Sequence, residues 1–519
     1  MKLLEANNIN IEIQGETLLK IPYLEVQEGD KIGLVGINGA GKTTLMNVLM
    51  SQSHNVQHYS TIGLIPQLKD NETTKSGGEI TLEYIQDTLS RNPHMLLLDE
   101  PTTNLDFTHI EMLNRILKSY KGSYILVSHN KEFLDENINI IWEIEETSLN
   151  IYKGNYSNYQ SMKKQEKETH KKEYDKYIAK KQQLERAREQ KKKQAQESIM
   201  IVDEKGHKKE TKHFHFQKIG KKLNQVAKGF EKRIEQLQEV EQPEKETVIK
   251  MNIPNEETFL GRDVIRFNEV TGSVANRLLW ESRPFQIKGG KHVAIIGDNG
   301  VGKTTMLKMI QNDARGIEVS PSVIFGYFSQ NLDILDEYKT ILENIKETSN
   351  HDETLIRTVL GRLLIKKDDV NKKVEVLSGG ERVIVALIKV FLSNINTLIL
   401  DEPTNYLDIY RIDALTELLK DYKGTVIFVS HDVNFIKEIA NMIVEIKNQQ
   451  VTIFKGPLDE YRTSRRQQNR NIKEESLMVI NNKIAEVLGK LSIEPSDALE
   501  QEFNELLKQK RAFENTQID

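Results

Sequence analysis

Two short segments of this chain have the residue types that bind the phosphates of a nucleoside triphosphate. GINGAGKTT spans residues 36–44, and GDNGVGKTT spans residues 297–305. Glycines let backbone N–H groups wrap around phosphate oxygens, and the lysine of each segment adds a positive charge. Each segment follows an apolar, strand-like run and opens a helix, whose N-terminus also favours an anion. We therefore expect two phosphate-binding loops.

The two loops supply the first set of candidate nucleotide-binding residues. They are Gly36, Asn38, Gly39, Gly41, Lys42, Thr43 and Thr44 in the first copy, and Gly297, Asn299, Gly300, Gly302, Lys303, Thr304 and Thr305 in the second. We expect Lys42 and Lys303 to reach the β and γ phosphates, and the hydroxyls of Thr43 and Thr304 to hold Mg²⁺.

Two apolar runs, LLLDE and LILDE, end in a pair of acids. Asp99 and Asp401 then stand at strand ends, where a carboxylate can hold Mg²⁺ directly or through water. Glu100 and Glu402 follow them and are candidate general bases that polarise the attacking water. A strand that merely ends in a turn is the structural alternative.

The acids belong to a repeat with constant spacing. In both copies 23 residues separate an SGGE serine from the DE aspartate, and 30 separate that aspartate from a VSH histidine. The serines are Ser76 and Ser378, and the histidines are His129 and His431. A glutamine, Gln67 or Gln330, precedes the serine by 9 residues in the first copy and by 48 in the second. The first copy has therefore nearly lost a helical insert.

The order of these motifs resembles that of ABC ATPases, over both halves of the chain. The resemblance implies an α/β fold with two P-loop ABC ATPase domains, ATP and Mg²⁺ as cofactors, and ATPase activity. It implies head-to-tail pairing, in which each loop faces the signature of the other half: Ser76, Gly77 and Gly78, or Ser378, Gly379 and Gly380. His129 and His431 would then contact the γ-phosphate, and Gln67 and Gln330 would sense Mg²⁺ and the water.

Two departures from this pattern stand out. Lys75 replaces the usual leucine before the first signature, which predicts lower activity at one site. Neither half has a well-placed aromatic residue to stack on the base; Tyr23, Trp280 and Phe285 are imperfect candidates. The choice between ATP and GTP therefore stays open at this point.

The chain between the two halves is basic. Residues 161–240 contain 23 Lys and Arg against 13 Asp and Glu, whereas the whole chain has a net charge of −5. Such an insert suits a polyanionic partner, although a solvated charged helix pair has the same composition. Apolar residues recur at helical spacing and predict a seam against a second helix: Leu223, Val226, Phe230, Ile234, Leu237 and Val240. We expect a helical hairpin over 156–242 with its tip near 198–216.

The tip carries two groups of residues that could contact RNA or a drug pocket. Aromatic rings stack on unpaired bases and lysines pair with phosphates. The candidates are Ile199, Met200, Ile201, Val202, His213, Phe214, His215 and Phe216. For the apolar run, a small core that closes the hairpin is the alternative.

This layout resembles the ABC-F proteins, and the near-fusion of IPQLK with TKSGGE resembles their Vga-type antibiotic-resistance group. The resemblance implies a 70S ribosome partner, with the hairpin contacting rRNA and tRNA through the tRNA exit site near the peptidyl-transferase centre. It implies protection from lincosamides, pleuromutilins and streptogramin A compounds. A housekeeping ABC-F translation factor and the ATPase subunit of a drug exporter remain alternatives.

Composition and patterning bound the remaining expectations. The chain has no cysteine and no apolar run of about 18 residues, so we expect a cytoplasmic protein without a membrane segment or disulfides. The expected domains are 1–155, a first ATPase domain; 156–242, the hairpin; 243–463, a second ATPase domain; and 464–519, a helical extension with a restart at Pro495 and Ser496. We expect a monomer in which the two ATPase halves pair within one chain.

Overall fold

The computed structural model divides into two compact units. One contains residues 1–155 together with 248–519, and the other contains residues 156–247. The structure describes residues 1–13, 15–51, 55–67, 77–103, 105–203, 210–241, 259–275, 277–329, 332–365, 368–405, 407–493 and 496–515. Over these ranges no helix is long and apolar enough to cross a membrane.

In the first half of the chain, the described residues between 1 and 155 form two sheets and four helices. The strands are Lys2–Ile13 (β1), Glu16–Gln27 (β2), Lys31–Gly36 (β3), Val56–His58 (β4), Ile62–Ile65 (β5), Met95–Asp99 (β6), Ser123–Val127 (β7), Ile140–Glu145 (β8) and Ser148–Lys153 (β9). The helices are Lys42–Met50 (α1), Gly77–Ser90 (α2), Phe107–Ser119 (α3) and Lys131–Asn137 (α4).

The main sheet of this half has the order β5-β6-β7-β3-β8-β9 and is parallel except for its last pair. Strands β6 and β7 are buried along their whole length, as expected for parallel strands covered on both faces. A second, antiparallel sheet has the order β2-β1-β4. Because parallel strands point the same way, the residues that follow β3, β6 and β7 meet at one edge of the main sheet.

The basic hairpin consists of α5 (Tyr156–Asp203) and α6 (Glu210–Glu235). Both helices continue further toward the tip than the pattern break near 198–216 indicated, because the helical backbone includes residues 199–202 and 213–216. The side chains of those eight tip candidates lie outside the described residues.

The seam between the two arms differs from the expected one at three positions. Leu237 and Val240 lie beyond the end of α6 at Glu235, so they are not part of the helical seam. Val226 is 46% exposed, and the neighbouring Ala227 is buried instead, at 1% exposed. Leu184 and Ala195 are buried on the first arm, and Lys192 bonds Glu231 across the arms at 2.6 Å. Small residues at the contact let two helix backbones approach closely.

The second half, residues 243–463, repeats the first with an added helical layer. Its strands are Asp263–Phe267 (β10), Thr271–Val274 (β11), Arg277–Ser282 (β12), Phe285–Lys288 (β13), His292–Ile296 (β14), Ile317–Val319 (β15), Phe325–Phe328 (β16), Thr397–Asp401 (β17), Thr425–Val429 (β18), Met442–Lys447 (β19) and Gln450–Phe454 (β20). Its helices are Lys303–Gln311 (α7), Ile341–Lys346 (α8), Glu353–Arg362 (α9), Gly379–Phe391 (α10), Ile409–Asp421 (α11) and Val433–Ile439 (α12).

The main sheet of the second half has the order β11-β12-β20-β19-β14-β18-β17-β16, beside a smaller sheet of order β13-β10-β15. Helices α8 and α9 lie in the segment between Gln330 and Ser378 that is 39 residues longer than its counterpart in the first half. Their apolar faces join the largest core cluster of this half. The extra sequence is thus the added helical layer.

Two helices follow the second half: α13 (Leu458–Ile493) and α14 (Asp497–Asn515). The side-chain hydroxyl of Ser496 accepts a hydrogen bond from the amide of Leu499 and so caps the start of α14. The expected helix restart therefore occurs at this serine. At the start of α13, Arg462 lies 3.3 Å from Glu132 of α4, so this helix contacts both halves.

Candidate functional site

Each phosphate loop joins the end of a central strand to a helix. The first runs from Gly36, which ends β3, to Lys42, which begins α1. Gly41 has a φ of 93°, and a Cβ on it would lie 2.8 Å from a methyl carbon of Leu18. Gly302 has a φ of 98° and faces Leu279 and Trp280 in the same way. Conformation and space both require glycine at these two positions.

The two loop lysines are buried inside their own loops. Lys42 and Lys303 are each 8% exposed. The ammonium of Lys42 donates to the carbonyls of Gly36 and Ile37 at 2.8 and 3.1 Å. Burial lowers the pKa of both lysines, and the nearby carboxylates of Glu100 and Glu402 oppose that shift. A buried cation held mainly by carbonyls suits a loop that binds an anion.

A hydroxyl and a carboxylate meet beside each lysine. Thr304 donates to Asp401 at 3.1 Å, and Thr43 makes the same hydrogen bond to Asp99. Burial raises the pKa of both aspartates. Mg²⁺ prefers oxygen ligands and binds through one or two carboxylates plus substrate phosphates. These four residues therefore fit the expected Mg²⁺ positions.

The two glutamates are buried, and their backbones are in the left-handed region. Glu100 and Glu402 both have a φ of 50°, which is unusual for a residue with a Cβ. Burial raises the pKa of Glu100 to about 8 and that of Glu402 to about 7. Within the part of the chain that the structure describes, Oε1 of Glu100 and Oε2 of Glu402 have no hydrogen-bond partner. Each glutamate thus presents a buried acceptor oxygen that a water molecule could bind.

A histidine lies against each glutamate. Nε2 of His129 is 3.2 Å from Oε1 of Glu100, and Nε2 of His431 is 3.3 Å from Oε1 of Glu402. Burial lowers the pKa of both histidines to about 3, so both rings are neutral at pH 7. A cavity of about 290 Å³ is lined by both glutamates and both histidines. The candidate catalytic residues of the two halves therefore line the same cavity.

Two aspartates join the halves head to tail. Asp106 accepts a hydrogen bond from the backbone amide of Asn299 at 3.0 Å, and Asp408 accepts one from the amide of Asn38 at 2.8 Å. Each aspartate also caps the helix that follows it, α3 or α11. The phosphate loop of each half is thus bonded to a helix N-terminus of the other half.

Asp106 and Asp408 are site residues that the sequence motifs above do not predict. Their signal was present, because both stand at the N-cap position after the DE motif in the repeat. Other contacts between the halves are not repeated. Thr108 donates to Asp298 at 3.1 Å, and Tyr410 donates to Glu143 at 3.1 Å. These contacts involve unlike residue types and have no signal in the sequence of either half.

The signature and glutamine positions are described only in part. Ser378 caps α10 in a reciprocal pair with Glu381, and Gly379 and Gly380 open that helix. In the first half Gly77 and Gly78 begin α2. Gln67 is exposed just beyond β5. Lys75, Ser76 and Gln330 lie outside the described residues, so their expected roles stay predictions.

Two of the three aromatic candidates for base stacking are used in the core. Trp280 is fully buried and its indole N–H donates to the carbonyl of Gly302 at 3.3 Å. Phe285 stacks on Phe267 with ring centroids 4.2 Å apart. Tyr23 is 47% exposed and donates to Glu25. Packing therefore occupies the ring of Trp280 and one face of Phe285, and Tyr23 is the most exposed of the three imperfect candidates.

Comparison with known proteins agrees with this geometry. The family model for ABC transporters matches residues 19–63 and 281–405. The ribosome protection protein VmlR of Bacillus subtilis is 31% identical, over 98% of this chain and 97% of its own length. The chain belongs to the ABC-F family of ATPases. The erythromycin resistance ATP-binding protein MsrA of Staphylococcus epidermidis is 32% identical, over 86% of this chain and 98% of its own.

A solved structure supports the fold assignment. The archaeal ribosome recycling factor aABCE1, solved in complex with the ribosomal stalk protein aP1, matches with a TM-score of 0.58 and 17% identity. The match covers 88% of this chain and 92% of that one. At this identity the likeness concerns the fold, which is α/β with two ABC ATPase domains. The family model and the ABC-F relatives, and not this likeness, show that the two halves are ATP-binding ATPase domains.

Proposed function

We propose that this ATPase binds the 70S ribosome and protects it from antibiotics that act at the peptidyl-transferase centre. The drug classes proposed are lincosamides, pleuromutilins and streptogramin A compounds. The hairpin would enter through the tRNA exit site and contact rRNA and tRNA, and ATP hydrolysis would drive release. The observation that carries this proposal is the match to a ribosome protection protein over 97% of that protein's length, hairpin region included.

The length and charge of the hairpin support this proposal. Helix α5 has 48 residues, which corresponds to about 70 Å at 1.5 Å per residue. Residues 161–240 carry ten more basic than acidic groups. A basic rod suits a partner with a phosphate backbone. Its lysines and arginines would release counterions from the phosphates, so binding should weaken as the salt concentration rises.

The ATP sites supply the timing in this proposal. Glu100 and Glu402 would polarise the attacking water, with His129 and His431 against the γ-phosphate. Thr43, Asp99, Thr304 and Asp401 would hold Mg²⁺, with Gln67 and Gln330 near it. The signature residues, with Ser76 and Ser378 first, would close each site from the opposite half. Mg²⁺ would neutralise charge on the transferred phosphate.

A cell-free translation assay tests drug protection. Purified protein is added to reactions inhibited by lincomycin, tiamulin or virginiamycin M, and product is measured against drug concentration. Erythromycin forms a fourth arm, because one relative is named for resistance to it. We expect the inhibitory concentration to rise for the first three drugs. Unchanged concentrations for every drug would overturn protection and favour a housekeeping translation factor.

A trapping assay tests ribosome binding separately. The double variant Glu100→Gln with Glu402→Gln should bind ATP without hydrolysing it and should pellet with ribosomes in ATP but not in ADP. Binding should weaken steeply between about 50 and 200 mM salt. If the double variant stays in the supernatant in ATP, ribosome binding is wrong, and an exporter subunit becomes the better candidate.

A further inference from the structure

One aromatic side chain of the first half lies on the candidate histidine of the second. Phe107 is the first residue of α3 and directly follows Asp106. Its ring centroid is 5.9 Å from that of His431, with the ring planes tilted by 60°. Phe107 also packs against the main core cluster of the second half. The first residue of a helix in the first half therefore contacts a candidate catalytic side chain of the second half.

The polar contacts of the His431 ring involve one of its two nitrogens. Its Nε2 lies 3.2 Å from the ammonium of Lys303 and 3.3 Å from Oε1 of Glu402. Its Nδ1 is buried and makes no hydrogen bond to any described residue. A single ring nitrogen can accept from Lys303 or donate to Glu402, but it cannot do both. The ring position decides which contact forms, and the contact of Phe107 with that ring restrains it.

The other site is built differently at the same position. Asp106 corresponds to Asp408 in the repeat, so the counterpart of Phe107 is Ile409, which is 4% exposed. An aliphatic side chain cannot form the ring pair that Phe107 makes. Thr108 reinforces the difference, since it bonds Asp298 of the second phosphate loop, whereas its counterpart Tyr410 bonds Glu143.

We propose that Phe107 is a positioning residue that holds the His431 ring when the two halves are paired, so that the site of Lys303 and Glu402 depends on this ring contact while the site of Lys42 and Glu100 does not. This inference rests on the roles of Glu402 and His431 proposed above. It makes the two ATP sites unequal through a residue of the half opposite to the phosphate loop of the affected site.

Site-specific turnover tests the proposal. The Glu100→Gln background leaves the site of Glu402 active, and the Glu402→Gln background leaves the other. Phe107→Ile, which copies the residue of the second half, is measured in both, with Phe107→Leu as a second aliphatic variant. In the Glu100→Gln background we expect kcat to fall about three- to tenfold with KM for ATP changed less than twofold, as for loss of one aromatic contact. In the Glu402→Gln background kcat should change less than twofold.

Phe107→Tyr is the matched variant, and the double glutamate variant is the control for the two backgrounds. Phe107→Tyr keeps the ring and should retain kcat within about twofold of the parent in the Glu100→Gln background. An equal loss in both backgrounds, or no loss with Glu100→Gln, would overturn the proposal, because the residue would then be structural or idle. The Glu100→Gln, Glu402→Gln double variant is measured separately. If it still hydrolyses ATP, the proposed role of the two glutamates as general bases is wrong, whatever the result for Phe107.

Discussion

The carboxylate of Asp106, in the first half, accepts a hydrogen bond of 3.0 Å from the backbone amide of Asn299 in the second phosphate loop. The same side chain accepts from the amide of His109 at 3.0 Å and so caps its own helix. One residue thus fixes a helix start and joins it to the opposite loop. Asp408 does the same toward Asn38. Pairing of the halves and the shape of each phosphate loop are therefore linked.

Replacement of Asp106 should separate these two roles. Asp106→Ser keeps an N-cap hydroxyl but is too short to reach Asn299, whereas Asp106→Ala loses both contacts. We expect either change to lower ATPase activity about tenfold in the Glu100→Gln background, from the loss of a charge-assisted hydrogen bond. Only the alanine variant should also lose about 1 kcal/mol of helix-cap stability, measured as a lower Tm. A serine variant with the parent's turnover would show that the link is not functional.

The buried glutamates should make the nucleotide-free protein less stable at alkaline pH. Their pKa values of about 8 and about 7 lie above the 4.5 of an exposed glutamate. Between pH 4.5 and about pH 8 the folded protein therefore binds more protons than the unfolded chain. The free energy of unfolding is then higher at low pH and falls as the pH rises through about 8. Glu100→Gln and Glu402→Gln remove this loss, so each should raise Tm more at pH 8.5 than at pH 5.5.

Thermal melts in EDTA without nucleotide measure this difference directly. Each kcal/mol of unfolding free energy corresponds to about 2–4 °C for domains of this size. The low pKa values of His129 and His431 have the opposite sign and act below pH 6.5 in parent and variants alike. A gain that is equal at both pH values would mean that burial does not hold these carboxyls protonated.

An ion pair between Lys131 and Asp413 also joins the halves. The lysine side chain is 14% exposed and the aspartate 44%, so solvent screens the pair on one side. We expect a coupling energy of about 0.5–1 kcal/mol. A double-mutant cycle with Lys131→Ala and Asp413→Ala, read from Tm, measures it. Glu111→Ala, at the counterpart of Asp413, is the control and should shift Tm less; a coupling of zero would make the pair irrelevant to domain pairing.

The hairpin seam gives a matched pair of adjacent positions. Ala227 is 1% exposed and Val226 is 46% exposed. Ala227→Leu should overpack the contact between the arms and cost about 1–3 kcal/mol, whereas Val226→Leu should be nearly neutral. Helix melting followed by circular dichroism measures the change in stability of each variant. Pelleting of the trapped double variant with ribosomes measures the effect of each substitution on binding. Equal behaviour of the two variants would contradict the seam described above.

The positions of the phosphate loops, acids and histidines could be predicted from the sequence because each depends on local context. A glycine-rich turn after an apolar strand fixes the lysine at a helix start, and a buried strand fixes the acid at its end. Those contexts repeat with the same spacing in both halves. The hairpin was also predictable, because the segment between the two halves is highly charged and the apolar residues of its second arm recur at helical intervals.

Choices between neighbouring residues were not predictable. A spacing of three or four residues favours both Val226 and Ala227, and only the approach of the first arm decides that the smaller one is buried. Trp280 and Phe285 were imperfect candidates for base stacking, and only the structure shows that Trp280 packs against Gly302 and Phe285 against Phe267. In both cases the sequence specifies the residue and the neighbouring element specifies its environment.

The sequence by itself therefore determined that this chain has two ATP-binding halves and a basic helical hairpin, because those features are written in local motifs and periodicity. Only the tertiary structure decided which individual residues join the two halves. Asp408 reaches Asn38, Asp106 reaches Asn299, and Phe107 reaches His431 across hundreds of residues of chain. Contacts of this kind depend on the relative placement of two folded domains, and no local pattern encodes that placement.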